Sequence, residues 1–108
     1  MAQTYGVLGQ TTVASTTLTA LFTVTTGEQA VVSGVFVTNR SSTGTTFRIS
    51  VAENGTTDTL KQYIYYDTAI PGNDVFVSKP VTLGDTDVIR VYAGSATVTF
   101  SAWGVRIT

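Results

Sequence analysis

The chain has no cysteine and no histidine, a single methionine, a single tryptophan and two prolines in 108 residues, and only 12% of its residues are charged. Without thiols there can be no disulfide framework and no cysteine-based zinc centre, and folding in a reducing compartment is compatible with the composition. Without imidazole the commonest general base is missing as well, so catalysis would have to rest on carboxylate, lysine or hydroxyl chemistry. Long apolar runs are also lacking. The densest stretches, Val35-Phe36-Val37 and Tyr63-Ile64-Tyr65-Tyr66, fall far short of the ~20 residues a membrane-spanning helix needs. The start, Met1-Ala2-Gln3-Thr4-Tyr5, shows no basic region followed by an apolar one, so no signal peptide is expected.

Charge excludes another class. Six basic and seven acidic residues leave a net charge of −1, and the cations Arg40, Arg48, Lys61, Lys79, Arg90 and Arg106 are dispersed singly. A nucleic-acid footprint needs phosphate-neutralising side chains clustered on one surface, and no such cluster is present in the sequence. No glycine-rich phosphate loop follows a strand and opens a helix.

What the sequence does contain is threonine, about one residue in five, and Val, Ile and Thr together make up about two in five. Residues branched at Cβ are stiff in χ1 and favour the pleated surface of a sheet. Leu18, Ala20, Phe22 and Val24 alternate with threonines, with Leu21 the one break in the period, and Phe47, Ile49 and Val51 alternate with Thr46, Arg48 and Ser50. Both are strands with one apolar face. The segments Ala30 to Asn39 and Leu60 to Asp67 carry bulky residues on both parities, and shorter runs follow at 75–79, 81–83, 88–93 and 96–107. Turn residues separate them at Thr26-Gly27, Ser42-Thr43-Gly44, Asn54-Gly55, Pro71-Gly72-Asn73, Gly84-Asp85 and Gly94-Ser95. The expected fold is all-β, a single antiparallel sandwich of about seven or eight strands, of jelly-roll type or alternatively immunoglobulin-like. Residues 1–16 are expected as an N-terminal arm or strand and linker, and 17–108 as the sandwich domain.

The last strand carries an irregularity. Val98, Phe100 and Ala102 share one parity, whereas Trp103, Val105 and Ile107 share the other. Either a β-bulge flips the chain near Ala102 or the second face is covered by a neighbouring subunit, and Trp103 is buried in both cases. Together with Val32, Phe36, Tyr63, Tyr65 and Tyr92 of the body, and with Tyr5, Val7 and Leu8 of the arm, these residues offer more apolar surface than one thin core can absorb. They form the candidate protein interface of a homo-oligomer, expected to be a trimer. Tyr63, Tyr65, Tyr66 and Asp67 form a candidate sugar platform, in which Tyr63 and Tyr65 share a face and Tyr66 does not. Asp85-Thr86-Asp87 and Asn73-Asp74 place oxygen ligands on turns where calcium sites are built, although aspartates there commonly satisfy their own backbone. No catalytic, cofactor or metal residue is assigned.

Four stretches carry a resemblance: Tyr5-Gly-Val-Leu-Gly-Gln10; Thr23-Val-Thr-Thr-Gly27 leading to Val31-Val-Ser-Gly-Val-Phe-Val-Thr-Asn-Arg40; Thr46-Phe-Arg-Ile-Ser-Val51; and Tyr63-Ile-Tyr-Tyr66 through Asp87-Val-Ile-Arg-Val-Tyr92. Over nearly its whole length the chain resembles small virion structural proteins of tailed bacteriophages, with Thr25 where such sequences often carry proline. The resemblance implies a jelly-roll-like, non-enzymatic protein present in many copies on a phage particle. Its partners would be the major capsid protein, with the chain as a decoration or cement protein, or tail proteins. In the second case it would be a tail, baseplate or spike-associated adhesion module able to bind carbohydrate. Such a protein is made in the bacterial cytoplasm and resides in the virion, with no cofactor and no nucleic-acid or membrane partner.

Overall fold

The computed structural model describes residues 2–108. The chain forms nine strands: β1 (Gln3–Thr12), β2 (Thr19–Thr23), β3 (Gln29–Asn39), β4 (Thr45–Ala52), β5 (Tyr63–Ile70), β6 (Val75–Val77), β7 (Val81–Leu83), β8 (Val88–Ala93) and β9 (Val98–Ile107). Two single-turn 3-10 segments, Glu53–Gly55 and Leu60–Gln62, join β4 to β5, and no α-helix occurs among the described residues.

The strands build two antiparallel sheets, β1-β9-β3 with β6 and β7 both on the far side of β3, and β2-β8-β4-β5. β6 and β7 pair with β3 in one continuous register, from Thr38↔Val75 to Ala30↔Leu83, so they are a single strand interrupted at Ser78-Lys79-Pro80. Counted that way the pairs nest: β1 with β9, β2 with β8, β3 with β6/β7, and β4 with β5. This is one long hairpin folded over on itself, the winding of a jelly roll. In an immunoglobulin-like sandwich the first strand would pair with the second, and here β1 pairs with β9 alone.

Between the sheets lies a core of Val, Ile, Leu and Phe. Phe47 of β4 and Phe100 of β9 are its largest fully buried members, with Ile49, Ile89, Val35 and Val37 around them. The inward parity runs unbroken along β9 through Val98, Phe100, Ala102 and Gly104. The apolar face therefore does not switch within β9 as a bulge there would require. Gly104 simply has no side chain to show on the inward face. The bulges sit instead on both neighbours, where Leu8 of β1 and Ser33 of β3 are the extra residues against β9.

The N-terminal segment is not a loose arm. β1 pairs with β9 over its full length, and Ala2 and Thr108 exchange backbone hydrogen bonds of 3.1 and 2.9 Å. Gln10 to Thr12, expected in a linker, end β1, and Val13 beyond them is in the core. Threonine-rich composition disguised a strand that hydrogen-bonds through its backbone. At the opposite end buried Asn39 ties three loops together: its Nδ2 donates to the carbonyls of Thr43 and Pro71, and its Oδ1 accepts from Ser41 N and Thr97 Oγ1. Asn54 and Asn73 adopt the left-handed conformation expected of turn asparagines.

Candidate interaction surface

Register fixes which side chains leave the outer face of the β1-β9-β3-β6/β7 sheet. One row holds Tyr5, Val105 and Val31, and the next holds Val7, Trp103 and Gly34. A third row runs Gln10, Ser101, Phe36 and Val77, and a fourth Thr12, Thr99, Thr38 and Val75. None of these is charged. Tyr5 is 73% exposed and Val7 62%, while Phe36, Val75 and Val77 are also among the exposed large apolar residues.

At the centre Trp103 lies flat on Phe36, with ring centroids 4.4 Å apart and planes 21° from parallel. Gly34 makes that arrangement possible, because a Cβ there would come within 2.5 Å of the indole. Trp103 is thus half-buried on an outer face rather than within the core, and Val105 and Ile107 share its side of β9. The arginine nearest this end, Arg106, has the inward parity; it passes 5.7 Å from the Phe22 ring and lies 3.8 Å from Glu28. It therefore closes the end of the sandwich and leaves the outer face neutral. Aromatic enrichment together with depletion of charge is the composition of the buried centre of protein–protein contacts.

Of the residues expected at an interface, Tyr5, Val7, Phe36, Trp103, Val105 and Ile107 converge on this face. Val32 does not, being fully buried opposite Gly104. Leu8 and Tyr65 are partly buried against the core. The exposed Val75 and Val77 belong to the same surface and escaped sequence reading, since a three-residue strand has too short a period to assign a face.

The other outer face is chemically different. The Arg48 guanidinium lies 4.1 Å from the Tyr66 centroid and 4.2 Å from that of Tyr92, and its Nε donates to Asp67 Oδ1 at 2.6 Å. That hydrogen bond raises the Arg48 pKa above its ordinary value. Asp67 sits at φ +49° where β5 bulges against β4, and this bulge puts Tyr66 beside Tyr63, with centroids 5.0 Å apart and planes at 85°. The expected pairing of Tyr63 with Tyr65 is therefore corrected. Tyr65 turns inward onto Phe76 and Phe47, because two irregularities in β5 displace its simple alternation. The edge-on tyrosines, with Arg48 against Tyr66 and Tyr92, present no flat pair of rings for a sugar to stack on.

Burial, then the hydrogen bond from its hydroxyl to Asp58 Oδ2, holds the Tyr63 phenol above the usual tyrosine range against the opposing influence of Arg48. A raised folded-state value means that this stabilisation is complete below the unfolded tyrosine pKa and is lost as pH rises through the folded one. Asp58→Asn is expected to move the onset of Tyr63 ionisation to lower pH, as followed by ultraviolet absorbance. An unchanged titration would show that Asp58 has no part in it.

The aspartates considered for calcium are occupied with backbone. Asp87 accepts from Gly84 N and Asn54 N, Asp85 from Gly27 N, and Asp74 from Val75 N. No group of three acidic residues among those described is placed to hold a metal ion, and no helix is long and apolar enough to cross a membrane. Comparison with protein-family models, curated proteins and solved structures finds no match to the chain.

Proposed function

We propose that the chain is a non-enzymatic structural protein of a tailed-phage particle. In this reading it is a capsid decoration protein that seats the neutral outer face of its β1-β9-β3-β6/β7 sheet on coat protein and works as a homotrimer. The observation that carries the reading is the uncharged face centred on the Trp103–Phe36 stack, exposed in the single chain. An apolar surface spread over four strands is costly to leave in water and is a common mark of protein contact. The virion setting draws its support from the sequence resemblance. On a lattice of identical coat subunits a modest single-site affinity suffices, because linked copies engage neighbouring sites at high effective concentration.

The test is sedimentation with particles. Purified protein is expected to pellet with expanded capsids and to stay in the supernatant with tails alone. Retention on tails would move the protein to the tail apparatus, and failure to pellet with either would refute a virion role.

A further inference from the structure

The four sheet edges of the sandwich are not protected alike. The β6/β7 edge is interrupted by Lys79 and Pro80, β5 is bulged twice and preceded by Lys61, and β2 is five residues long with a bulge of its own. Charge, proline, bulges and shortness are the usual devices that stop an edge from pairing with another chain. β1 has ten residues, no proline and no charge, and the first charged residue of the entire sequence is Glu28. Its single bulge at Leu8 leaves residues 2–7 as regular ladder.

The reciprocal hydrogen bonds between Ala2 and Thr108 set the phase of that ladder. In an antiparallel pair the bonded residues alternate, so Thr4 and Gly6 also turn their backbone groups to β9. Gln3, Tyr5 and Val7 turn their N–H and C=O away from the sheet, into solvent. We propose that this edge pairs, antiparallel and about a two-fold axis, with β1 of a second copy of the chain, so that the two outer faces become one continuous surface.

A second copy fits for three reasons. An antiparallel pairing of identical strands is self-complementary, as a two-fold contact requires. A strand without charge meets its own copy with no repulsion, whereas like charges placed opposite one another are destabilising. Tyr5 and Val7, the most exposed apolar residues on this side of the sandwich, stand on the edge strand itself and gain cover only if the sheet continues past it. A two-fold contact does not close a trimer. It joins one trimer to the next, as a network over a particle surface would need, and in that respect the inference deepens the decoration role while resting on β1 alone.

Because the chain has no cysteine, introduced thiols are unambiguous reporters. Single variants Gln3→Cys, Tyr5→Cys and Val7→Cys, with Ser42→Cys on a distant loop as reference, are oxidised in concentrated solution and run on non-reducing gels. Disulfides need Cα atoms within about 4.4 to 6.8 Å, so cross-linking is expected to peak at one β1 position and decline on either side. Tyr5→Pro removes an outward N–H that β9 does not use and is expected to halve the mass of the assembly by light scattering, with the β-sheet circular dichroism unchanged. Tyr5→Lys, which keeps the N–H and adds like charge, should do the same. Cross-linking no greater than for Ser42→Cys, or an assembly mass unaltered in both variants, would overturn the proposal. Neither readout uses a phage particle, so failure to bind capsids leaves it standing.

Discussion

Phe47→Ala is expected to destabilise the protein by about 3 to 5 kcal/mol, the range for truncating a buried phenylalanine. Phe47 is fully buried and touches the largest aromatic cluster of the core: Phe76 at 5.1 Å between centroids, Tyr65 at 6.2 Å and Phe100 at 6.5 Å. It reaches from β4 in one sheet to β9 and β6 in the other, so the void left by its removal would lie between the sheets. Collapse into that void is restricted, because β4 is hydrogen-bonded to β5 on one side and β8 on the other. Domains are commonly stable by about 5 to 15 kcal/mol, so the variant would lose much of its margin. Urea denaturation followed by tryptophan fluorescence measures the loss, and Phe47→Leu, which keeps most of the volume, should cost less than about 1.5 kcal/mol. A loss below about 1 kcal/mol in the alanine variant would mean that the sheets close around the vacancy.

The sandwich was legible because strands with one apolar face declare themselves by alternation, and Phe47 and Ile49 are buried where the period places them. Residues were misassigned where the backbone departs from that period. Leu8, Ser33 and the bulged stretch of β5 each insert a residue, and a single insertion exchanges inside for outside in everything that follows. Val32 was placed outside and is inside for this reason: it precedes the Ser33 bulge, whereas Phe36 follows it, and the two were assigned to one face. Trp103 was misread through an absence, since Gly104 conceals the inward parity of β9. The stack of Trp103 on Phe36 had a readable trace in Gly34, a residue without side chain in the middle of an apolar strand, which commonly marks the close approach of another group. The Arg48 cluster left no such trace, because it depends on a positive φ at Asp67 that the residue type permits without requiring.

The location of Trp103 separates stability from assembly, and Phe36→Asp exploits the separation. Phe36 is 42% exposed, and its outward side chain faces away from the core, so a carboxylate there stays hydrated in the free protein. The cost to folding is confined to the lost stack with Trp103, about 0.5 to 1.5 kcal/mol for an aromatic pair beyond its area. Against a partner the same carboxylate would be desolvated at the centre of a neutral face with no cation among the outward residues of the four rows to pair with it. Central aromatic residues of interfaces cost 2 kcal/mol or more when truncated, and the introduced charge adds to that, so each site should weaken by at least about 30-fold. With several linked copies the losses compound, and capsid binding is expected to disappear from a sedimentation isotherm while the melting temperature falls by only a few degrees. Trp103→Ala should behave alike, losing about 1 to 2 kcal/mol of stability instead of the 3 to 5 expected of a fully buried ring. Normal saturation of capsids by Phe36→Asp would exclude this face as the contact, whatever else the protein binds.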